Sequence, residues 1–233
     1  MAKEFDGELI SADSRQVYIG NDLETGKDKD LNTDNIKIWL FDIINQNDEF
    51  AVSHWKKLAL EAIENILKRN KLPIVVGGSG LYIKALVQNL LYIDIPRDMS
   101  LRKSNKTASE LFECLKKINK KRAELLNDSD RNNPRRLIRA IEIVQQVTKA
   151  ASDKVTRKYI QIGLIASKEF LINKIKQRVK DRGLGEEYVG REVKIMKKQL
   201  VWFKKQPDIY WIDIAVDDTI DSCRKKLKSA IKL

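Results

Sequence analysis

Short apolar runs and helical repeats alternate along the chain in the order that is typical of an α/β protein. Residues 8–11 (ELIS) form a short apolar run that leads into polar residues, which favours a buried strand. A helix is predicted next, because apolar side chains recur at helical spacing at Val52, Trp55, Leu58, Ala62 and Ile66. A strand with a glycine turn, 72–80 (LPIVVGGSG), and a further helix, 81–91 (LYIKALVQNLL), follow. This order predicts a mostly parallel sheet flanked by helices.

The next segment has helical spacing and no strand signal. Thr107 and Glu110 stand three residues apart near its start, which is the spacing of a capping box. We therefore predict a small helical insertion at 96–132, carried by an α/β core that consists of 1–95 and 133–233.

The remainder of the chain returns to the α/β pattern. A helix is predicted to begin at Pro134 with Asn133 as its N-cap, because proline is tolerated at the first helical position. Strands are predicted at 158–166 and 208–215, with a helix ending at Gly183 between them. A later helix has an apolar stripe formed by Val193, Met196, Leu200 and Phe203. Cations beside this stripe either contact a polyanion or form a solvated face: Arg191, Lys194, Lys198 and Lys205.

Composition narrows the class of protein. The chain has 233 residues, of which 42% are hydrophobic, and no apolar run approaches the roughly 18 residues of a membrane span. No signal-peptide pattern opens the chain, so we expect a cytoplasmic protein with no membrane partner. Cys114 and Cys223 match no metal or redox spacing, and no metal site is predicted.

The excess of positive charge indicates a polyanionic partner. Lys and Arg number 45 against 33 Asp and Glu, which gives a net charge of +12. Such an excess favours nucleic acid as a partner, although lysine-rich solvated faces produce similar values.

One stretch, 20–30 (GNDLETGKDKD), is similar to the loop that binds nucleotide phosphates. That loop requires G-x-x-x-x-G-K-[ST], because this spacing wraps backbone N–H groups around the phosphates and brings a hydroxyl to Mg²⁺. Here five residues separate Gly20 from Gly26, and Asp28 stands where the hydroxyl should be. We therefore interpret the stretch as a polar loop.

Polar residues directly follow the first predicted strand. Ligands of open parallel sheets bind outside the carboxyl ends of the strands, and this is where Asp13, Ser14, Arg15 and Gln16 should lie. A carboxylate in this position could accept a proton from an attacking amine or alcohol. The alternative is that Asp13 only caps a turn or a helix.

The glycine turn 77–80 (GGSG) occupies the equivalent position after the next strand. Glycines permit close approach of a substrate to the backbone, and Ser79 adds a hydroxyl among exposed N–H groups. A tight strand-to-helix turn explains the same sequence about as well.

Two arginines stand where a helix disfavours them. Arg135 and Arg136 fall in the first turn of the predicted helix, where the helix dipole is positive. With Arg139 one turn further on, a phosphate backbone would compensate for this placement. Acidic side chains from elsewhere in the fold would compensate equally well.

Four motifs together resemble one protein family. The stretches 7–18 (GELISADSRQVY), 72–87 (LPIVVGGSGLYIKALV), 132–143 (NNPRRLIRAIEI) and 197–205 (KKQLVWFKK) are similar, in this order, to motifs of the tRNA dimethylallyltransferases, the tRNA isopentenyltransferase family. The resemblance implies a P-loop-type α/β fold. It also implies transfer of a dimethylallyl group from dimethylallyl diphosphate to N6 of the adenosine 3′ of the anticodon, with Mg²⁺ assisting departure of the diphosphate. We expect a monomer whose partner is the tRNA anticodon stem-loop.

The resemblance also implies roles for individual residues. Asp13 matches the general base of the family, and Ser79 matches a residue near a flipped-out adenine. The helix that begins at Pro134 matches an arginine-rich helix that holds the anticodon stem-loop, and the insertion 96–132 is expected to contact tRNA. The tRNA-binding positions so implied are Asp13, Ser14, Arg15, Gln16, Ser79, Arg135, Arg136, Leu137, Ile138 and Arg139.

The sequence departs from the family pattern in two places, and each departure leads to an expectation about the substrate site. The phosphate loop of the family is expected before residue 1, so no diphosphate-binding residue is assigned, and 20–30 aligns downstream of that loop. After Gly183 the chain is shorter than the family, which would remove part of the substrate channel. The alternatives are a catalytically inactive RNA-binding remnant of the family and, third, a small-molecule kinase of the same fold class.

Overall fold

A computed structural model of the chain describes residues 1–20, 22–25, 27, 36–88, 95–146, 158–215 and 217–231. The chain divides into two compact units, Met1–Gln88 with Arg157–Leu233 and Asn89–Thr156. The first unit contains the described strands, and the second is helical. The predicted class, an α/β core with a helical insertion, is confirmed.

Every pairing between the described strands is parallel. The strands are β1 (Gly7–Ser11), β2 (Ile38–Trp39), β3 (Leu72–Val76), β4 (Gln161–Ala166) and β5 (Ile209–Ile214). They form two sheets, with the orders β2-β1-β3 and β4-β5, so the predicted parallel arrangement is divided between two sheets. In the first sheet Ser11 lies opposite Val76, which brings the carboxyl ends of β1 and β3 together.

The helices alternate with the strands largely as predicted. They are α1 (Asp22–Thr25), α2 (Val52–Lys68), α3 (Gly80–Val87), α4 (Met99–Arg102), α5 (Ala108–Ile118), α6 (Lys120–Glu124), α7 (Asp128–Arg131), α8 (Pro134–Gln146), α9 (Lys168–Asp181), α10 (Glu187–Phe203) and α11 (Ile220–Ile231). The end of the predicted helix 81–91 lies outside the described residues. Within the described ranges, no helix combines the length and the apolar character needed to cross a membrane.

The core of the first sheet lies between β1 and α2. Ile10, Trp55 and Ile66 have no exposed surface, as the apolar spacing of α2 predicts. The Trp55 ring stacks on Tyr82 of α3, with 4.6 Å between ring centroids. The indole N–H of Trp55 donates to the carbonyl of Ser11 over 2.9 Å, which fixes the carboxyl end of β1 against the core. Burial raises the pKa of Tyr82 to about 12, so its hydroxyl stays neutral at physiological pH.

A buried carboxylate in β1 joins three elements of the same unit. Both oxygens of Glu8 accept hydrogen bonds from the guanidinium of Arg69, which follows α2. The indole N–H of Trp39 in β2 donates to Glu8 over 2.8 Å. These donors, chiefly Arg69, lower the pKa of Glu8 to about 2. The carboxylate is therefore charged in the folded protein and holds β2 and α2 against β1.

The helix caps of the second unit follow the sequence signals. The Thr107 hydroxyl accepts the backbone N–H of Glu110 over 3.3 Å, and the Glu110 carboxylate accepts the backbone N–H of Thr107 over 2.8 Å. This capping box is confirmed. Asn133 caps α8 as predicted. The helical segment after Thr107 is interrupted at Asn119, whose side chain caps the separate helix α6.

Helix α8 belongs to the second unit, whereas the sequence placed 133–233 in the α/β core. Leu137 and Ile141 on α8 are buried against Leu111 and Leu115 of α5. The apolar face of α8 thus completes the core of the helical unit, and this packing is the physical reason for the different boundary.

A second buried carboxylate organises the helical unit. Glu142 on α8 has no exposed surface and accepts two hydrogen bonds from Arg102, over 2.8 and 3.0 Å. It also accepts from Arg139 and from the backbone N–H of Asp98, each over 2.9 Å. Burial opposes ionisation of Glu142, but these donors outweigh it and lower its pKa to about 2. Arg139 also donates to the carbonyl of Ile95, so the network joins the first described residues of the unit to α8.

Candidate active site

Asp13 lies where the chain leaves β1 and turns away from the sheet. One carboxylate oxygen, Oδ1, accepts the backbone N–H groups of Arg15 and Gln16, over 2.8 and 3.4 Å. The interpretation of Asp13 as a turn cap is therefore confirmed for this oxygen. Oδ2 accepts no hydrogen bond from the described residues, and Asp13 lines a cavity. The cap orients the carboxylate and leaves one oxygen available to a substrate.

The glycine turn lies directly beside Asp13, as the parallel register predicts. The backbone N–H of Ser14 donates to the Ser79 hydroxyl over 2.9 Å, and the two hydroxyls are 3.2 Å apart. The backbone N–H of Ser79 donates to the carbonyl of Ala12 over 3.1 Å. A Cβ atom at Gly77 would lie 2.3 Å from that carbonyl oxygen, so only glycine allows this approach. The two turns form one hydrogen-bonded assembly.

Gln16 connects this assembly to the next helix. Its side-chain amide donates to the carbonyl of Thr25 in α1 over 3.5 Å and accepts from the Ser11 hydroxyl over 3.3 Å. Arg15 and Gln16 line the same cavity as Asp13. The structure thus brings together five of the predicted positions: Asp13, Ser14, Arg15, Gln16 and Ser79.

The stretch that is similar to a phosphate loop, 20–30, lies partly outside the described residues. Its lysine, Lys27, is described, and the side chain has no exposed surface. The ammonium donates to the carbonyl of Tyr18 and to the carboxylate of Asp42, and lies 3.3 Å from Asp22. These contacts occupy the Lys27 ammonium inside the protein, so this lysine is not placed as in a phosphate loop. The interpretation of the stretch as a loop is corrected in part, because Asp22–Thr25 form the short helix α1.

The cavity beside Asp13 has a volume of about 550 Å³. Helices α9 and α10 form its second wall, which combines apolar side chains, among them Leu171 and Ile175, with the cations Lys174, Arg178 and Lys198. Arg178 is paired with Glu192 on α10. A cavity with cations and apolar side chains on one wall and a free carboxylate oxygen on the other suits a substrate that has a charged and an apolar part.

Sequence reasoning missed most of this second wall. It named Lys198 but not Lys174 or Arg178, which stand four residues apart on one face of α9. The four-residue spacing was the sequence feature from which a common face for these two cations could have been predicted. Their position on the cavity beside Asp13 was not predictable from the spacing, because periodicity does not tell which face of a helix meets another element.

The arginines of α8 lie in the second unit and differ in their surroundings. Arg136 pairs with Asp130 of α7, which is the acidic partner that the sequence left open. Arg135 is exposed and has no side-chain partner among the described residues. Only Arg135 therefore keeps the unbalanced charge at the helix start that a phosphate would neutralise.

Three further positions that were predicted to bind tRNA make contacts inside the helical unit instead. Leu137 is completely buried in the helical core, so its predicted contact with tRNA is corrected: the side chain holds α8 in place. Ile138 packs against the same core. The Arg139 guanidinium is bonded to Glu142 and to the carbonyl of Ile95, which ties it to the protein interior.

The chain is similar to a set of tRNA-modifying enzymes. A family model described as IPP transferase matches residues 16–194. A tRNA dimethylallyltransferase from Acetivibrio thermocellus is 33% identical, over 98% of this chain and 90% of that relative. The matched region includes the glycine turn, α8 and α9.

Solved structures agree with this similarity. The tRNA delta(2)-isopentenylpyrophosphate transferase of Staphylococcus epidermidis superposes with a TM-score of 0.65 at 25% identity, over 99% of this chain and 92% of that chain. A eukaryotic dimethylallyltransferase acting on tRNA superposes with a TM-score of 0.81 at 20% identity, over 99% of this chain and 73% of that chain. The second likeness concerns the fold alone.

Proposed function

Because this chain belongs to the IPP transferase family, whose model matches residues 16–194, we propose that it transfers a dimethylallyl group from dimethylallyl diphosphate to a tRNA. The observation that carries the proposal is the 33% identity to a tRNA dimethylallyltransferase across 90% of that relative. The cavity beside Asp13 supports it, because a prenyl diphosphate has both a charged and an apolar part.

The proposed acceptor is N6 of the adenosine 3′ of the anticodon. Its nitrogen attacks C1 of the donor, a C–N bond forms, and the C–O bond to the diphosphate breaks. The proton that N6 loses passes to the free Oδ2 of Asp13, while Oδ1 stays bonded to the turn. An adenine inside a stacked loop must first leave the stack to reach such a cavity.

Mg²⁺ is proposed only as a companion of the donor diphosphate, whose charge it would neutralise. The described residues include no group of three or more His, Cys, Asp or Glu side chains that could hold a metal ion. A Mg²⁺ ion that arrives with the diphosphate needs no such group, because substrate phosphates and water supply most of its ligands. The cytoplasmic location and the monomeric state stay predictions from the sequence, as does contact between the insertion 96–132 and tRNA.

An inactive RNA-binding remnant is not favoured as the function. The similarity to a tRNA dimethylallyltransferase extends over 98% of this chain, and the turn at Asp13 occupies only one of its two carboxylate oxygens among the described residues. No contact of Lys27 supports a small-molecule kinase either, because its ammonium is held by Tyr18 and Asp42.

Direct detection of the product tests the proposed function. The purified chain is incubated with dimethylallyl diphosphate, Mg²⁺ and a tRNA transcript that has adenosine 3′ of the anticodon, and the digested nucleosides are analysed by mass spectrometry. We expect a dimethylallyl adduct on that adenosine and none on a transcript with guanosine at the same position. A chain that binds the tRNA but leaves both transcripts unmodified would contradict the proposal.

Arg135→Ala should weaken tRNA binding more than Arg136→Ala. The two arginines are adjacent, but Arg136 is already neutralised by Asp130, whereas Arg135 has no side-chain partner among the described residues. Loss of one phosphate contact should reduce the slope of log affinity against log salt by about one. Titration of labelled tRNA at several salt concentrations measures both quantities. Equal affinities and equal salt slopes for the two variants would contradict the prediction that Arg135 contacts a phosphate.

A further inference from the structure

Helix α10 lies directly on the glycine turn that carries Ser79. The side-chain amide of Gln199 donates to the carbonyl of Gly78 over 3.2 Å. A Cβ atom at Gly78 would lie 2.1 Å from the Gln199 amide nitrogen, and one at Gly80 would lie 2.0 Å from the indole nitrogen of Trp202. The glycines at these positions therefore make room for side chains of α10, and not only for a tight turn.

The opposite side of the turn is bonded to the segment that carries Asp13. Ser79 accepts the backbone N–H of Ser14 and donates its own backbone N–H to Ala12. Asp13 stands between these two bonded residues. The position of its carboxylate thus depends on the position of the glycine turn, which is held between Ala12 and Ser14 on one side and Gln199 on the other.

We propose that Gln199 is a positioning residue for prenyl transfer, acting through the glycine turn on Ser79 and Ser14 and, through them, on Asp13. This inference rests on the proposed function. Gln199 lines the cavity and is the residue of α10 whose side chain bonds the backbone of the turn. Its amide supplies a donor to the Gly78 carbonyl, and neither leucine nor glutamate at position 199 would supply one.

The first measurement separates kcat from KM. Gln199→Leu keeps a similar volume but removes the donor, and we expect kcat to fall about three- to tenfold, in proportion to one hydrogen bond, with KM for tRNA unchanged. Lys197→Ala, an exposed change on the same helix, serves as the control and should keep wild-type kcat. A Gln199→Leu variant with wild-type kcat would overturn the proposal.

A double-mutant cycle tests the route through Ser79. If Gln199 acts through the glycine turn, Gln199→Leu should lower kcat much less in a Ser79→Ala background than in the wild type. Fully additive losses would overturn this route, because they would mean that Gln199 and Ser79 act independently.

Hydrogen exchange tests the positioning without any turnover. Peptides that cover 12–17 and 77–81 should exchange faster in Gln199→Leu than in the wild type, and at the wild-type rate in Lys197→Ala. Wild-type exchange in Gln199→Leu would overturn the positioning role. A wild-type chain that transfers no prenyl group would overturn the proposed function instead, so the two failures are distinguishable.

Discussion

Asp13→Asn should lower kcat for prenyl transfer about 10²- to 10⁴-fold and leave the affinity for tRNA close to the wild-type value. Asparagine keeps an oxygen that can accept the backbone N–H groups of Arg15 and Gln16, so the turn is preserved. It cannot accept the proton that N6 releases. Single-turnover rates at saturating tRNA, together with a binding titration, measure the two quantities.

Asp13→Ala is the informative companion of this variant. Alanine removes both the proton acceptor and the turn cap, so we expect a similar loss of turnover together with a lower melting temperature. If Asp13→Asn turns over at the wild-type rate while Asp13→Ala does not, the carboxylate acts only as a cap. Equal losses of kcat and of tRNA affinity in Asp13→Asn would also contradict a role as general base.

Glu142→Gln should lower the free energy of unfolding by about 2 to 3 kcal/mol, which is a large part of the stability of a domain. The change leaves the guanidinium groups of Arg102 and Arg139 beside a neutral amide in a site where Glu142 has no exposed surface. Urea unfolding measures the loss. Glu124→Gln, on an exposed residue whose carboxylate pairs with Lys120 over 4.0 Å, should cost less than about 1 kcal/mol.

The same carboxylate gives a pH dependence with a defined sign. The pKa of Glu142 falls from the ordinary 4.5 to about 2 in the folded protein, so its stabilisation is present above pH 4.5 and is lost as the pH falls towards 2. Glu8, with a pKa of about 2, acts in the same direction. Melting temperatures of the wild type should therefore fall across this interval, and those of Glu142→Gln should fall less steeply. Parallel curves would contradict the assignment.

The sequence predicted the parts of the site that depend on local rules. Asp13 and Ser79 were each expected at the carboxyl end of a strand of a parallel sheet, and the structure pairs these two strands and bonds their turns to each other. The capping box of Thr107 and Glu110 follows from spacing alone. Such features can be predicted because each depends on a few consecutive residues or on the pairing of two parallel strands.

Features that depend on distant partners were not predictable. In the sequence Glu142 has the features of an ordinary polar residue of α8, and the donors that stabilise it when buried include Arg102, 40 residues earlier. The pairing of Arg136 with Asp130 was left open for the same reason. Leu137 was named as a tRNA-binding position from the family resemblance, although the period of α8 turns it towards α5.

The hydrogen bonds around Glu142 bear on how the helical unit can be exchanged between related proteins. They fasten Ile95 and Asp98, at the beginning of the helical unit, to α8 near its end. Within residues 95–146 the contacts of the segment itself hold its first residues to its last helix, so we expect this range to keep its fold when it is exchanged between relatives. Chimaeras that swap this unit between relatives should therefore be joined outside the network, with Arg102, Arg139 and Glu142 taken from the same parent.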